Sequence, residues 1–160
     1  MALNASTLKS ALQSSLESYP SSAAASAQGW ANAIAAHVAT GQSPQGVTST
    51  PAPGSASALA SSIASAFQAG SAAGAASGLS GAVVAYYQGL LFIGTTLGTV
   101  TAVGGASALT SAISAAFSDN VSSRATMSEA AGRFADAIQA CAQTVIVTHA
   151  PPVAVTGPLI

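Results

Sequence analysis

The strongest constraint on the fold of this chain is one apolar pattern that occurs three times, at intervals of 51 and 50 residues. Each copy places large apolar side chains at positions i, i+4 and i+8, with mostly Ala and Ser between them. This spacing is typical of a helix that buries one narrow face. Turn-forming residues at 19–21, 69–71 and 119–120 predict that each helix ends there. The three copies are Leu8, Leu12 and Leu16; Leu59, Ile63 and Phe67; and Leu109, Ile113 and Phe117.

A second helix and then an extended segment follow in each copy. The second helices are marked by a large apolar residue with a β-branched residue four positions later, in the pairs Trp30 and Ile34, Leu79 and Val83, and Phe134 and Ile138. Segments rich in Val and Thr at 46–54, 98–104 and 152–157 predict short strands. We therefore predict a mainly α fold of three αα-hairpin repeats of about 50 residues, which form a helical bundle and are each followed by a short extended or β segment. The repeats span approximately 5–54, 55–104 and 105–160 of a single domain, 1–160.

Small residues make up half of the chain, which contains 40 Ala, 25 Ser and 15 Gly. Gly70, Gly74 and Gly78 recur at every fourth position, which predicts a helix face that another helix can approach closely. Because Ala buries little apolar surface, we also expect neighbouring subunits to supply part of the core.

Charged residues are very few: three are basic and four acidic, and none lies between Glu17 and Asp119. A basic surface for nucleic acid needs clustered Lys and Arg, so direct binding of DNA or RNA is excluded as a function class. The spacing of Glu129, Arg133 and Asp136 predicts a small ladder of ion pairs on one helix face.

The chain offers little for catalysis or for binding a metal or cofactor. It has no nucleophile elbow, Walker A loop, dinucleotide-binding glycine loop or His-Glu-x-x-His motif. His37 and His149 have no carboxylate nearby in sequence to orient them, and one Cys with two scattered His does not make a ligand set. The single Cys141 permits no internal disulfide. We predict no enzymatic activity, no cofactor and no metal site.

One uncharged segment, residues 81–103, is long enough to cross a membrane as a helix. Its second half, from Phe92, alternates Gly and Thr with apolar residues and therefore indicates a β segment. No Lys or Arg lies near either end to set an orientation. A membrane-active helical protein that inserts residues 81–103 is the alternative from a different class. No secretion signal is expected, because residues 1–16 lack a basic region followed by an apolar run.

Several segments resemble small Ala-rich virion structural proteins of tailed bacteriophages. They are the sequence Gln-Gly-Trp-Ala-Asn-Ala-Ile at 28–34, the Gly/Pro-rich stretch after it, and the repeated Ala-Leu-x-x-x-Ile-x-x-x-Phe helices. The endings at 144–149 and 157–159 are similar to the endings of such proteins. The resemblance covers most of the chain, although its motifs are of low complexity. It implies a structural role in a particle, without saying which part, and it carries no catalytic residue.

We therefore predict a non-enzymatic structural component of a bacteriophage or phage-like particle, found in the virion and assembled in the host cytoplasm. A capsid decoration, cement or head–neck connector protein is favoured, and a tail or baseplate component is the alternative. The predicted partners are copies of the chain itself and capsid, portal or tail proteins. Its Val-rich tails would add as strands to neighbouring subunits, so that removing residues 148–160 would abolish incorporation and spare the helices. The predicted packing and interface residues are Trp30, Ile34, Gly70, Gly74, Gly78, Val145, Val147, Val153 and Val155.

Overall fold

The computed structural model describes residues 3–18, 20–51, 55–151 and 154–160. Helices dominate these ranges and short strands follow them, which confirms the prediction of a mainly α protein with β additions. The helices are α1 (Ala5–Glu17), α2 (Ala23–Val38), α3 (Ser55–Phe67), α4 (Ala72–Gln88), α5 (Ala106–Ser122) and α6 (Met127–Ala142). The strands are β1 (Thr50–Pro51), β2 (Leu90–Ile93), β3 (Leu97–Val103), β4 (Val145–His149) and β5 (Thr156–Pro158).

Four helices begin at a polar capping residue whose side-chain oxygen accepts a hydrogen bond from a backbone N–H of the first turn. These caps are Asn4, Ser22, Ser71 and Thr126. The predicted break at 119–120 is wrong, because α5 continues through both residues to Ser122. Asn120 does not act as a cap: its Oδ1 accepts a hydrogen bond of 2.6 Å from Arg133 of α6. The chain turns afterwards at Arg124, which adopts a left-handed backbone conformation with φ of 50°.

The six helices form a closed ring in which each packs against the next and α6 packs against α1. Seven side chains are buried on each of α2, α4 and α6, but only two to four on each of α1, α3 and α5. Helix α6 also meets the other two even-numbered helices. Trp30 of α2 packs edge-on against Phe134 of α6 with ring centroids 5.0 Å apart. The Tyr87 hydroxyl of α4 donates to the Ile138 carbonyl of α6. The odd-numbered helices therefore cover an inner group of three.

The strands form one antiparallel sheet in the order β1-β2-β3-β4-β5. Beyond β5, Ile160 and Gln42 exchange two backbone hydrogen bonds of 2.6 and 3.0 Å. Gln42 also forms an antiparallel bridge with Thr48, two residues before β1 begins. Residues 42–48 therefore link the two edges of the sheet: Gln42 pairs with Ile160 next to β5, and Thr48 leads along the chain into β1.

Residues 81–103 do not form one continuous helix. Helix α4 ends at Gln88, and the remainder forms β2 and β3, which confirms that the second half of the segment is extended. The single span required by the membrane alternative is therefore wrong. Across the described ranges, no helix combines the length and the apolar character needed to cross a membrane.

Candidate functional site

The predicted packing residues Trp30 and Ile34 lie in the centre of the helical ring. Trp30 is 3% exposed and Ile34 is fully buried. The indole packs edge-on against Phe67 of α3, at 5.5 Å between ring centroids, as well as against Phe134. Both residues therefore serve internal packing and present no surface to a partner.

The three glycines do not share one helix face as predicted. Gly70 precedes α4 and has a φ of 69°, so it forms the turn and not the helix. A Cβ at Gly78 would lie 2.8 Å from the Cβ of Ala66 on α3, whereas one at Gly74 would meet Ser71 and Ala69 in the preceding turn. Only Gly78 therefore permits the close crossing of two helices that the sequence suggested.

The valines of the last tail lie within the chain's own sheet. Val145 and Val147 are fully buried on β4, which pairs with β3 on one side and β5 on the other. Val155 is half-buried just before β5, and Val153 lies outside the described residues. Because both edges of β4 are occupied, a neighbouring subunit can pair with it only if the sheet opens.

The histidines and the cysteine lie apart and form no reactive pair. His149 is buried behind β3, with its ring against Gly98 and its Nδ1 3.3 Å from the hydroxyl of Thr96. Cys141 is buried on α6, and this burial raises the pKa of its thiol, so the neutral and weakly nucleophilic form is favoured. In the part of the chain that the structure describes, no group of three or more His, Cys, Asp or Glu could hold a metal ion.

The predicted ladder of ion pairs is also wrong. Glu129 completes a capping box with Thr126, whose backbone N–H donates to the carboxylate at 2.8 Å. Hydrogen bonds from the backbone and hydroxyl of Thr126 lower the pKa of Glu129, with a smaller contribution from the charge of Arg133. Arg133 donates instead to Asn120 and Ser123. Glu129 therefore caps the start of α6, and Arg133 joins α6 to the end of α5.

Two matching grooves that the sequence reasoning missed lie between paired helices. The groove between α3 and α4 has a volume of about 100 Å³ and is lined on one side by the buried Tyr86. The groove between α5 and α6 has a volume of about 300 Å³ and carries Cys141 at the corresponding position. Both are otherwise lined mainly by Ala, Leu, Ser and Thr. Their chemistry suits packing and provides no acid, base or charged anchor for a substrate.

A second missed feature is the exposed apolar tip between β2 and β3. Ile93 and Leu97 face each other in the strand register and are 64% and 50% exposed. The sequence gives no signal for this tip, because all four residues of β2 are apolar, and only the folded sheet separates the buried Leu90 and Phe92 from the exposed Ile93.

The outer surface divides into a neutral flank and a charged flank. Helices α2, α3 and α4 and strands β1 to β3, here called the neutral flank, contain no Asp, Glu, Lys or Arg. Its exposed positions on α3 include Ser57, Ser61, Ser62 and Ser65. All charged side chains belong to α1, α5, α6 and the α5–α6 turn.

No protein-family model, curated protein sequence or solved structure shows significant similarity to the chain.

Proposed function

We propose that the chain is built from three copies of one unit, each consisting of two helices and a β hairpin, arranged around a common axis. Equivalent positions have equal burial: Leu12, Ile63 and Ile113 are all 0% exposed, as are Ile34, Val83 and Ile138. The two grooves support the same equivalence, since Leu59 and Tyr86 line one where Leu109 and Cys141 line the other. In this interpretation, the contact of α6 with α1 repeats the contacts of α2 with α3 and of α4 with α5.

We further propose that the protein is a non-enzymatic structural component of a bacteriophage or phage-like particle. The observation that carries this proposal is the neutral flank, which covers three of the helices without a single charged side chain. Burying Ser, Ala and Thr against a partner costs little desolvation compared with burying charges. Such a face therefore suits permanent packing in an assembly.

A capsid decoration, cement or head–neck connector protein remains the favoured form, and a tail or baseplate component the alternative. Its partners would be copies of the chain and capsid, portal or tail proteins, in virions assembled in the host cytoplasm. The outer helix α3, which belongs to the neutral flank, is a better candidate for these contacts than the sheet, because β4 is paired along both edges. Addition of a strand to a neighbour would require the chain to give up pairing that it already has.

The test is whether the protein is part of purified particles. Particles from host cells that produce a tagged copy are banded on a density gradient, heads and tails are separated, and each fraction is analysed by quantitative mass spectrometry. We expect the protein in the head fraction at a fixed copy number. Absence from both the head and tail fractions would refute the structural role, and presence only in tails would select the alternative.

A matched pair of variants tests the neutral flank itself. Ser61→Glu places a charge on exposed α3, and Ser118→Glu places the same charge on exposed α5, next to Asp119. Both variants should fold, since neither side chain is buried. We expect Ser61→Glu to reduce incorporation and Ser118→Glu to leave it close to the wild-type level. Equal incorporation of both variants would show that the neutral flank is not the contact surface.

A further inference from the structure

The ring of helices closes at a seam between α1 and α6, and His37 of α2 lies buried beside this seam. Its side chain is 1% exposed, and the groups nearest to the imidazole are the backbone of Asn4 and the side chain of Gln139. Neither ring nitrogen of His37, nor Oε1 of Gln139, has a hydrogen-bond partner among the described residues. The one polar contact across the seam from Gln139 is a 3.5 Å hydrogen bond that its Nε2 donates to the Leu3 carbonyl.

A cavity open to solvent borders the seam beside Leu3, just before α1 begins. Leu3 and Gln139 line this cavity of about 180 Å³ together with Gln143, Leu159 and Ile160. The seam therefore combines a buried basic group that lacks a hydrogen-bond partner among the described residues with a long polar contact, at the place where the first and last helices meet.

No charged group in the described ranges faces the imidazole from the elements that pack around it. On α1, Lys9 lies against Gly132, and Glu17 is the last residue of the helix, at the end opposite Asn4. On α6, Glu129 binds Thr126 at the helix start, and Arg133 and Asp136 line a cavity shared with α5. Helix α2 itself carries no acidic residue. A protonated His37 would therefore be a buried charge without a counter-ion.

We propose that His37 makes closure of the ring sensitive to acid: protonation of its imidazole opens the seam between α1 and α6. Desolvation by burial lowers the pKa of His37 below its usual value of 6.5, and the nearby Asn4 and Gln139 only partly oppose this effect. The folded state consequently holds His37 neutral where the opened state would bind a proton. The closed ring therefore has its full stability above pH 6.5, where His37 is neutral in both states. As the pH falls below 6.5, only the opened state binds the proton, and the closed ring loses stability relative to it.

The expected effect is a rise in the opening equilibrium constant of up to about tenfold for each pH unit below about 6.5, until the pKa of the folded state is reached. Hydrogen exchange measures it residue by residue, as protection factors corrected for the intrinsic pH dependence of exchange. Between pH 7 and pH 5, the protection of α1 amides should fall relative to that of α4 amides. In the His37→Gln variant, which cannot be protonated, the difference should disappear.

The second buried histidine provides the matched control. His149 lies in the sheet and not at the seam, so His149→Gln should leave the acid-dependent loss of protection in α1 intact. An NMR titration of the His37 ring in the wild-type protein gives an independent readout that does not depend on the folding of a variant. A measured pKa of 6.5 or above, or an equal loss of α1 protection in His37→Gln, would overturn the proposal.

Discussion

A small number of large side chains, separated by alanines, determine the core of this protein. Leu12, Ile63 and Ile113 occupy the middle of the three repeated stripes, and all three are fully buried. On α2, α4 and α6, the side chains of Ala27, Ala76 and Ala131 are at most 1% exposed. The small residues let the helices approach closely, so that the large side chains fill one shared core.

Truncation of the three stripe residues should therefore have similar effects. We expect Leu12→Ala, Ile63→Ala and Ile113→Ala each to lower the free energy of unfolding by about 2–5 kcal/mol, through lost apolar contact and an unfilled cavity. Urea unfolding followed by circular dichroism measures this. Ile93→Ala, at a position 64% exposed, is the control and should change stability by no more than about 0.5 kcal/mol. A near-neutral result at only one of the three stripe positions would argue against equivalent repeats.

Two glycines on α4 give opposite predictions for the same substitution. In Gly78→Ala the new Cβ would lie 2.8 Å from the Cβ and 3.1 Å from the Cα of Ala66, so α3 and α4 must separate, at a cost of about 1–3 kcal/mol. In Gly81→Ala the new Cβ meets nothing within 4 Å, so the gain in helix propensity should raise stability by about 0.5–1 kcal/mol. Thermal unfolding of both variants under one condition checks the signs, and destabilisation by Gly81→Ala would contradict the packing described for α4.

The burial of large apolar residues could be predicted from the sequence, but the structural roles of the glycines could not. Trp30 and Ile34 follow from helical spacing alone, because the side chains of residues four apart lie on one face. The role of Gly70 depends on a φ of 69°, which regular spacing along the chain does not reveal. The buried residues His37, Tyr86 and Cys141 each lie three positions after the β-branched residue that marks a second helix, but three different residue types form no recognisable sequence pattern.

At the scale of elements, helices could be predicted from local pattern, whereas strand pairing could not. The end of α5 was misplaced because Asn120 is typical of a turn, and its bond to Arg133 arises only in the folded protein. The predicted tail 98–104 nearly matches β3, whereas 46–54 and 152–157 contain only β1 and the start of β5, and residues 52–54 and 152–153 lie outside the described ranges. The partner strands β2 and β4 follow directly on helices. Strand β2 pairs with β3 in a local hairpin, in which Ile93 lies opposite Leu97, but β4 pairs with β3 across the intervening α5 and α6.

This pairing changes what removal of the last tail should do. Residues 148–160 contain β5, the buried Leu159 and the Ile160–Gln42 hydrogen bonds that connect the two sides of the sheet. We expect a protein ending at Val147 to lose its cooperative urea transition, and not merely to lose incorporation into particles. Leu159→Ala in the full chain should show an intermediate loss of about 2–5 kcal/mol. A truncated protein that unfolds with the wild-type midpoint would contradict this prediction and would show that the tail is free to pair with a neighbouring subunit.

At the scale of the whole molecule, the described residues form one continuous hydrophobic cluster. Its accessible surface is 7303 Å², close to the roughly 7,100 Å² expected for a compact monomer of 15.2 kDa. The expectation that neighbouring subunits supply part of the core stays a prediction, which the concentration dependence of unfolding tests. The closing contact between α1 and α6 joins the two ends of the sequence, and no local pattern predicts it.

The distribution of charge, by contrast, could be predicted directly from the sequence. The absence of charged residues between Glu17 and Asp119 becomes a flank made of consecutive helices, because α2, α3 and α4 are neighbours in the ring. The neutral flank therefore follows from the sequence together with the order of the helices in the ring.

The measurement that tests this account most directly is the dependence of unfolding on protein concentration. If the ring and the sheet close within one chain, the urea midpoint at neutral pH should be the same from about 1 µM to about 100 µM, because folding then requires no second molecule. Both the helical signal and the fluorescence of the buried Trp30 should report that single midpoint. A midpoint that rises with concentration would show that other copies complete the fold, and would contradict the closed ring.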